Sequence, residues 1–366
     1  MKVGILTYHH GSNYGGVLQC LALQTAVRQL GHDAEVIDFH LTPPYKNPLW
    51  RGWQIHRHGF SCVPSRMIEL RHGRKLLNEF DYFRQQQLKL SSRVEGLDAL
   101  KEITSQYDAI ITGSDQVWNF RCSPAYFLAL GDSFTGRKIA YAPCCTQANQ
   151  PENRIKQIGA WIGDYHAISV RDAFSKIAVE RATGREARMV CDPTLLMAPQ
   201  WLMEESAAPP KEHILVYRLG GPMAGDMGRF VRWLKLETGA SRVEGIVTST
   251  YNPHTSKETE SRYFSLPPLQ WVQKIGTARL VLTDSFHGAV FSMRMGVPFI
   301  AYCAEGERSP RLRDIAERFG VGNRIVTSSR DFKQINPEVL TQAADTCGFM
   351  PRHVSESWDF LRNALA

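Results

Sequence analysis

The chain has no C-x-x-C pair and none of the cysteine and histidine spacings of a zinc site, although it holds eight cysteines. Free thiols in a reducing compartment are the expected state. No apolar run approaches the roughly 20 residues that span a bilayer, and residues 1–7 read as a strand rather than as a secretion signal. The expected location is the cytoplasm, with peripheral membrane contact as the remaining route to lipid. A G-x-G-x-x-G fingerprint and a Walker lysine are both missing, so a dinucleotide or P-loop nucleotide is unsupported. RNA-recognition and helix-turn-helix motifs are missing too, and nucleic acid is not an expected partner.

What is present is a long α/β pattern. With 366 residues, 43% of them hydrophobic, the chain can bury more core than one domain usually holds, and two domains are expected. The first run of strands and helices covers residues 1–200. It opens with the strand "KVGILTYHH", the turn "GSNYGG" and an amphipathic helix ending at Gly31, followed by "AEVIDF". This is a β-α-β unit, which implies parallel pairing. "YDAIITGSD", "KIAYAPC", "AISVRD" and "ARMVCDPTLL" read as further strands. A proline-bearing linker at 201–211 precedes a second run over 212–348, and residues 349–366 read as a helix that crosses back onto the first domain. The expected architecture is two Rossmann-like domains with parallel sheets facing a central cleft, ligands lying at the carboxyl ends of the strands.

The formal charge of +7 is unevenly spread. Across an insertion at about 43–93, basic residues far outnumber Glu69, Glu79 and Asp81, with Trp50, Trp53 and Phe60 interleaved. That pattern suits an anionic membrane surface or an acidic lipid-linked substrate, or else a solvated helical face.

Candidate site residues fall at strand ends. Asn13, Tyr14 and Gly15 follow the first strand, where glycine lets backbone approach a ligand and a helix N-terminus favours an anion. Asp115 and Gln116 follow "AIIT"; Asp115 either caps a helix or holds a substrate hydroxyl. Arg171 closes an apolar strand and needs a carboxylate or phosphate to fork onto, with neighbouring Asp172 as the local option. In "TDSFHGAVFSMRMGVPFIAY", His287 stands where a buried strand gives way to a helix, a place where an imidazole can trade a proton or simply cap its helix. Arg308 and Arg311 follow the next strand.

The segments "ILTYHHGSNYGGVLQCLALQTAVRQLGHDAEVIDF", "ITGSDQVWN", "ISVRD", "CDPTLL" and "TDSFHGAVFSMRMGVPFIAY", in this order, resemble the polysaccharide pyruvyl transferase family over roughly residues 2–326. The resemblance implies a GT-B-like fold and an enzyme that moves the pyruvyl unit of phosphoenolpyruvate onto two hydroxyls of one sugar, leaving a cyclic ketal. It implies that His287 acts as general acid or stabilises departing phosphate, and that Arg171, Ser285, Gly288, Arg308 and Arg311 lie on the donor side. Asp115 is then a base or hydroxyl anchor, with Asn13, Tyr14, Gly15 and Gln116 on the acceptor side. Some relatives carry an arginine two residues before the histidine, where this chain has Ser285. Phosphoenolpyruvate would be a substrate, no cofactor or metal is expected, and the acceptor would be a sugar or lipid-linked oligosaccharide of an exopolysaccharide or capsule, met at the inner membrane face. A nucleotide-sugar glycosyltransferase of the same architecture and a non-catalytic carbohydrate-binding protein are the alternatives.

Overall fold

A computed structural model describes residues 1–41, 63–119, 123–145, 151–198, 211–219, 227–247, 259–303, 309–327 and 332–366. The chain forms two compact units. Unit 1 comprises Met1–Cys62, Arg84–Met197 and His353–Ala366, and unit 2 comprises Val63–Phe83 and Ala198–Arg352. Residues 63–83, assigned from sequence to an insertion in the first domain, therefore group with the second. They belong to the helix Val63–Gln87.

Strands β1 (Lys2–Leu6), β2 (Asp33–Val36), β3 (Phe39–His40), β4 (Val94–Glu95), β5 (Ala109–Thr112), β6 (Arg137–Ala140), β7 (Ala167–Val170) and β8 (Arg188–Met189) belong to unit 1. Six of them form a parallel sheet in the order β2-β1-β5-β6-β7-β8, and β3 pairs with β4 apart from it. Their short apolar runs are buried on both faces, as parallel strands covered by crossover helices must be. The helix Tyr14–Gln29 supplies the first crossover: Asn13 accepts from the Gly16 amide at 3.2 Å and caps it. The core gathers around Trp118, whose ring stacks on Phe127 at 5.8 Å and whose indole N–H donates to the Tyr126 carbonyl at 3.0 Å. The terminal helix Met350–Leu365 contributes to the same unit. There the Cys191 amide donates to Ser357 Oγ at 2.8 Å, and Phe360 lies 6.2 Å from the Tyr141 ring.

Unit 2 holds β9 (His213–Tyr217), β10 (Arg242–Ile246), β11 (Ser261–Tyr263), β12 (Leu280–Thr283), β13 (Phe299–Tyr302) and β14 (Ile325–Val326). All six run parallel in the order β11-β10-β9-β12-β13-β14. In both sheets the first strand is flanked on one side by the next in sequence and on the other by a later one. These reversals, β1/β5 and β9/β12, leave a crevice at the carboxyl ends of the strands, where open α/β sheets bind ligands.

Candidate active site

The reversal in unit 1 brings together the loops after β1 and β5. Thr7 Oγ1 donates to the Ser114 carbonyl at 2.7 Å, and Gln19 Nε2 donates to Thr7 Oγ1 at 3.0 Å. Asn13, Tyr14 and Gly15 thus share one sheet edge with Asp115 and Gln116, although the side chains of Asn13 and Tyr14 serve the helix and core: Asn13 caps, and Tyr14 is fully buried. Asp115 carries φ 80°, ψ −173°, a conformation few side-chain-bearing residues adopt. Its carboxylate accepts from the Gln116 amide at 2.9 Å, and its carbonyl accepts from the Cys144 amide at 2.8 Å. Residues strained in this way cluster at functional sites, which keeps Asp115 a candidate.

Beneath this loop lies a buried ion cluster. Arg171 is 1% exposed, and its Nη1 donates to Asp192 Oδ2 at 2.6 Å and to Ser114 Oγ at 3.3 Å, while Nη2 is 3.7 Å from Asp115 and 3.1 Å from Cys144 Sγ. Burial works against its charge, but Cys144 and the carboxylates of Asp192 and Asp115 outweigh that and hold the guanidinium protonated. The local partner considered from sequence, Asp172, instead caps the helix Ala173–Thr183 by accepting from the Ser175 amide at 2.8 Å. Arg171 is committed to carboxylates of its own unit and acts from below on the Asp115 loop. Asp192, the anchor, belongs to the "CDPTLL" segment but carried no signal of its role, because its partner lies 21 positions away.

At the reversal in unit 2, β12 runs into Asp284 and Ser285 and then into the helix Phe286–Arg294. Asp284 Oδ1 accepts from the Leu219 amide, which follows β9, at 2.5 Å, and so ties the two strand ends together. Ser285 caps the helix by accepting from the Gly288 amide at 3.3 Å, and its own amide donates to Thr283 Oγ1 at 3.0 Å. Gly288 sits in a close approach: a Cβ there would lie 2.4 Å from Thr283 Oγ1, so any larger residue would force the junction to shift. His287 is placed at the second helical position, 6% exposed, with its ring edge-on to Phe286 at 5.1 Å. Helix N-terminus, imidazole and strand reversal therefore coincide in one place, which suits an anionic substrate that needs a proton.

A family model for polysaccharide pyruvyl transferases matches residues 13–302. The chain belongs to this family. Among solved structures, the chain is similar to UDP-N-acetylglucosamine 2-epimerase from Rickettsia bellii, at 11% identity and TM-score 0.55 over 100% of this chain and 95% of that one. It is also similar to UGT89C1 from Arabidopsis thaliana, at 12% identity and TM-score 0.51 over 99% and 98% of the two chains. At such identities the likeness speaks to fold alone, and the fold is GT-B-like. A search of curated proteins by sequence finds no match.

The remaining predicted residues of this chain divide. Arg311 lies half-buried in the helix Ser309–Phe319. Arg308 lies outside the described residues, as do Arg51, Arg57 and the rest of residues 43–62 of the basic aromatic insertion; among the described residues no helix is long and apolar enough to cross a membrane. His72 and Lys75 of the helix Val63–Gln87 line an open cavity of about 530 Å³ in unit 2 with Arg262, Tyr263, Phe264 and Gln270. His72 stacks on Phe264 at 4.6 Å, and its carbonyl accepts from Ser265 Oγ at 3.1 Å.

The sequence offered no metal-ligand spacing, but the fold assembles a group that could hold one: His9, His10 and Asp38 at the ends of β1 and β2. Burial raises the Asp38 carboxyl, yet hydrogen bonds from His10 and His9 outweigh it and leave Asp38 well below the usual carboxylate range. These residues were missed because 28 positions and a strand crossover separate His10 from Asp38, and no local pattern marks them.

Proposed function

We propose that this chain is a ketal pyruvyltransferase, moving the pyruvyl group of phosphoenolpyruvate onto two hydroxyls of a sugar in a surface polysaccharide or its lipid-linked precursor. The observation that carries the reading is the placement of His287 at the head of the helix Phe286–Arg294, at the strand reversal of unit 2, in a chain of this family. Protonation of the donor's methylene carbon by the imidazolium leaves an oxocarbenium-like centre on the adjacent carbon. One sugar hydroxyl adds there and loses its proton. Phosphate then departs with the electron pair of its C–O bond, and the second hydroxyl closes the ring and loses its own proton. The helix N-terminus favours the donor's anionic groups through its dipole, with Ser285 and Gly288 shaping the approach and Arg311 supplying charge from the helix Ser309–Phe319.

Asp115 is assigned as base or anchor for an acceptor hydroxyl, with Gln116, Asn13, Tyr14 and Gly15 forming its surroundings. Arg171 is assigned a positioning role, because its guanidinium is spent on Asp192 and Asp115. The work of binding the acceptor's charged carrier falls to the basic aromatic residues, of which His72 and Lys75 line one cavity together with Arg262 of β11. Contact with the cytoplasmic membrane face follows from that assignment.

The test is thermal stabilisation and turnover in parallel. Phosphoenolpyruvate should raise the melting temperature, and with lipid-linked oligosaccharide acceptors it should yield phosphate and a product heavier by one ketal-linked pyruvyl group. Stabilisation by a UDP-sugar alone, with no response to phosphoenolpyruvate, would replace this reading by a glycosyltransferase. Absence of phosphate release with every acceptor would leave a carbohydrate-binding protein.

A further inference from the structure

Three imidazoles crowd one carboxylate oxygen at the carboxyl edge of the unit 1 sheet. The Nε2 atoms of His9, His10 and His40 lie 3.2, 3.1 and 3.1 Å from Asp38 Oδ1. The rings are layered, with centroids 3.9 Å apart from His9 to His10 and 4.0 Å from His10 to His40. His9 fixes the chemistry. Its Nδ1 lies 3.0 Å from the Thr7 carbonyl, which can only accept, so Nδ1 carries the hydrogen. Its other nitrogen, Nε2, faces Asp38 Oδ1 at 3.2 Å and is the one placed to ligate a cation beside that carboxylate.

We propose that His9, His10 and Asp38 bind a divalent transition-metal ion of the zinc class, with His40 bracing Asp38. The spacing suits it. Bonds of about 2.0 Å in a tetrahedron put neighbouring ligand atoms about 3.3 Å apart, close to the His9–Asp38 and His10–Asp38 separations of 3.2 and 3.1 Å. All three ligand atoms lie within 4.8 Å of one another, so a small closure around the ion completes the set. The surroundings of His9 also match: its outer nitrogen is held by a backbone carbonyl, the arrangement that fixes the tautomer of a metal-binding imidazole. Arg84 Nη1 stiffens the same loop by donating to the carbonyls of His9 and Gly11 at 3.1 and 3.0 Å. Two imidazoles and one carboxylate favour zinc, cobalt or nickel over magnesium or calcium. The His10 and His40 side chains are 35% and 29% exposed, so the fourth position opens to solvent and takes water or another oxygen ligand.

Metal-stripped full-length protein should be titrated with Co²⁺, followed by visible absorption, and then with Zn²⁺ by equilibrium dialysis and thermal melting. One equivalent of Co²⁺ should give the intense visible bands of low-coordinate cobalt without a thiolate charge-transfer band, Zn²⁺ should displace it, and millimolar Mg²⁺ should not. H10A, a change at a half-exposed side chain, should weaken Zn²⁺ binding at least tenfold and abolish the Zn²⁺-dependent rise in melting temperature, with a metal-free melt like that of the parent. D38N should do the same. Equal Zn²⁺ affinity in the parent, H10A and D38N, or a cobalt spectrum of thiolate or hexaaqua type, would overturn the assignment. These readouts are independent of the group the protein transfers.

Discussion

Arg171 Nη1 lies 2.6 Å from Asp192 Oδ2, with both side chains buried. A buried guanidinium deprived of its carboxylate is an uncompensated charge, so Asp192→Asn should cost about 3–5 kcal/mol in stability. Urea unfolding followed by the fluorescence of buried Trp118 measures it. R171M/D192N should be less destabilised than the two single changes summed, because it removes the stranded charge; strict additivity would show that the pair is not coupled.

His287→Gln keeps a polar side chain of similar reach but cannot pass a proton. Phosphate release from phosphoenolpyruvate in the presence of acceptor should fall at least about a hundredfold. The melting temperature should stay near that of the parent. Retained turnover would remove His287 from the chemistry.

Gly288→Ala drives a methyl group to within 2.4 Å of Thr283 Oγ1. The strand-to-helix junction must shift, at a cost of about 1–3 kcal/mol. Turnover should suffer with it, since His287 is the preceding residue. T283A/G288A should recover part of the stability by removing that oxygen, and a double variant no better than Gly288→Ala would place the strain elsewhere.

Glu244 gives an acid-limb prediction. Burial raises its carboxyl, but hydrogen bonds from Arg242 at 2.8 Å and Lys274 at 2.9 Å outweigh this and bring it down to about 2 from an ordinary 4.5. A carboxylate lowered by folding contributes stability that is complete above 4.5 and disappears as pH falls toward about 2. Because Arg242 is half exposed, about 2 kcal/mol is the expected contribution. E244Q should therefore be less stable at pH 7, and its deficit should close between those two values. A deficit unchanged across that window would exclude this carboxylate.

Much of the fold was legible because it is written in local periodicity. Apolar runs of four or five residues ending in Gly, Ser or Asp gave the strands, and the spacing of Val17, Leu18, Leu21 and Val27 gave the first crossover helix. β11 and β14 escaped notice: Ser261–Tyr263 is polar and Ile325–Val326 is two residues long, so neither has a period to read. His287 was legible because chain grammar marks it, a buried strand breaking at a capping serine. The partner of Arg171 was not, since the nearer acid, Asp172, was taken up by a helix cap and the distant Asp192 was brought in by β8 pairing with β7. Convergence of His9, His10, His40 and Asp38 is tertiary in the same sense: it depends on β2 lying beside β1, and no single stretch of chain contains it.

The helix that closes unit 1 is encoded after the whole of unit 2. Cys191 reaches for Ser357, and the Arg137 guanidinium donates to the carbonyl of Ala366, so the first body cannot be sealed while the ribosome is still producing 198–352. Its apolar seat for Leu361 and Leu365 must wait, uncovered, through the synthesis of the second body. Nascent chains arrested before residue 353 should accordingly be the ones that chaperones hold and proteases cut.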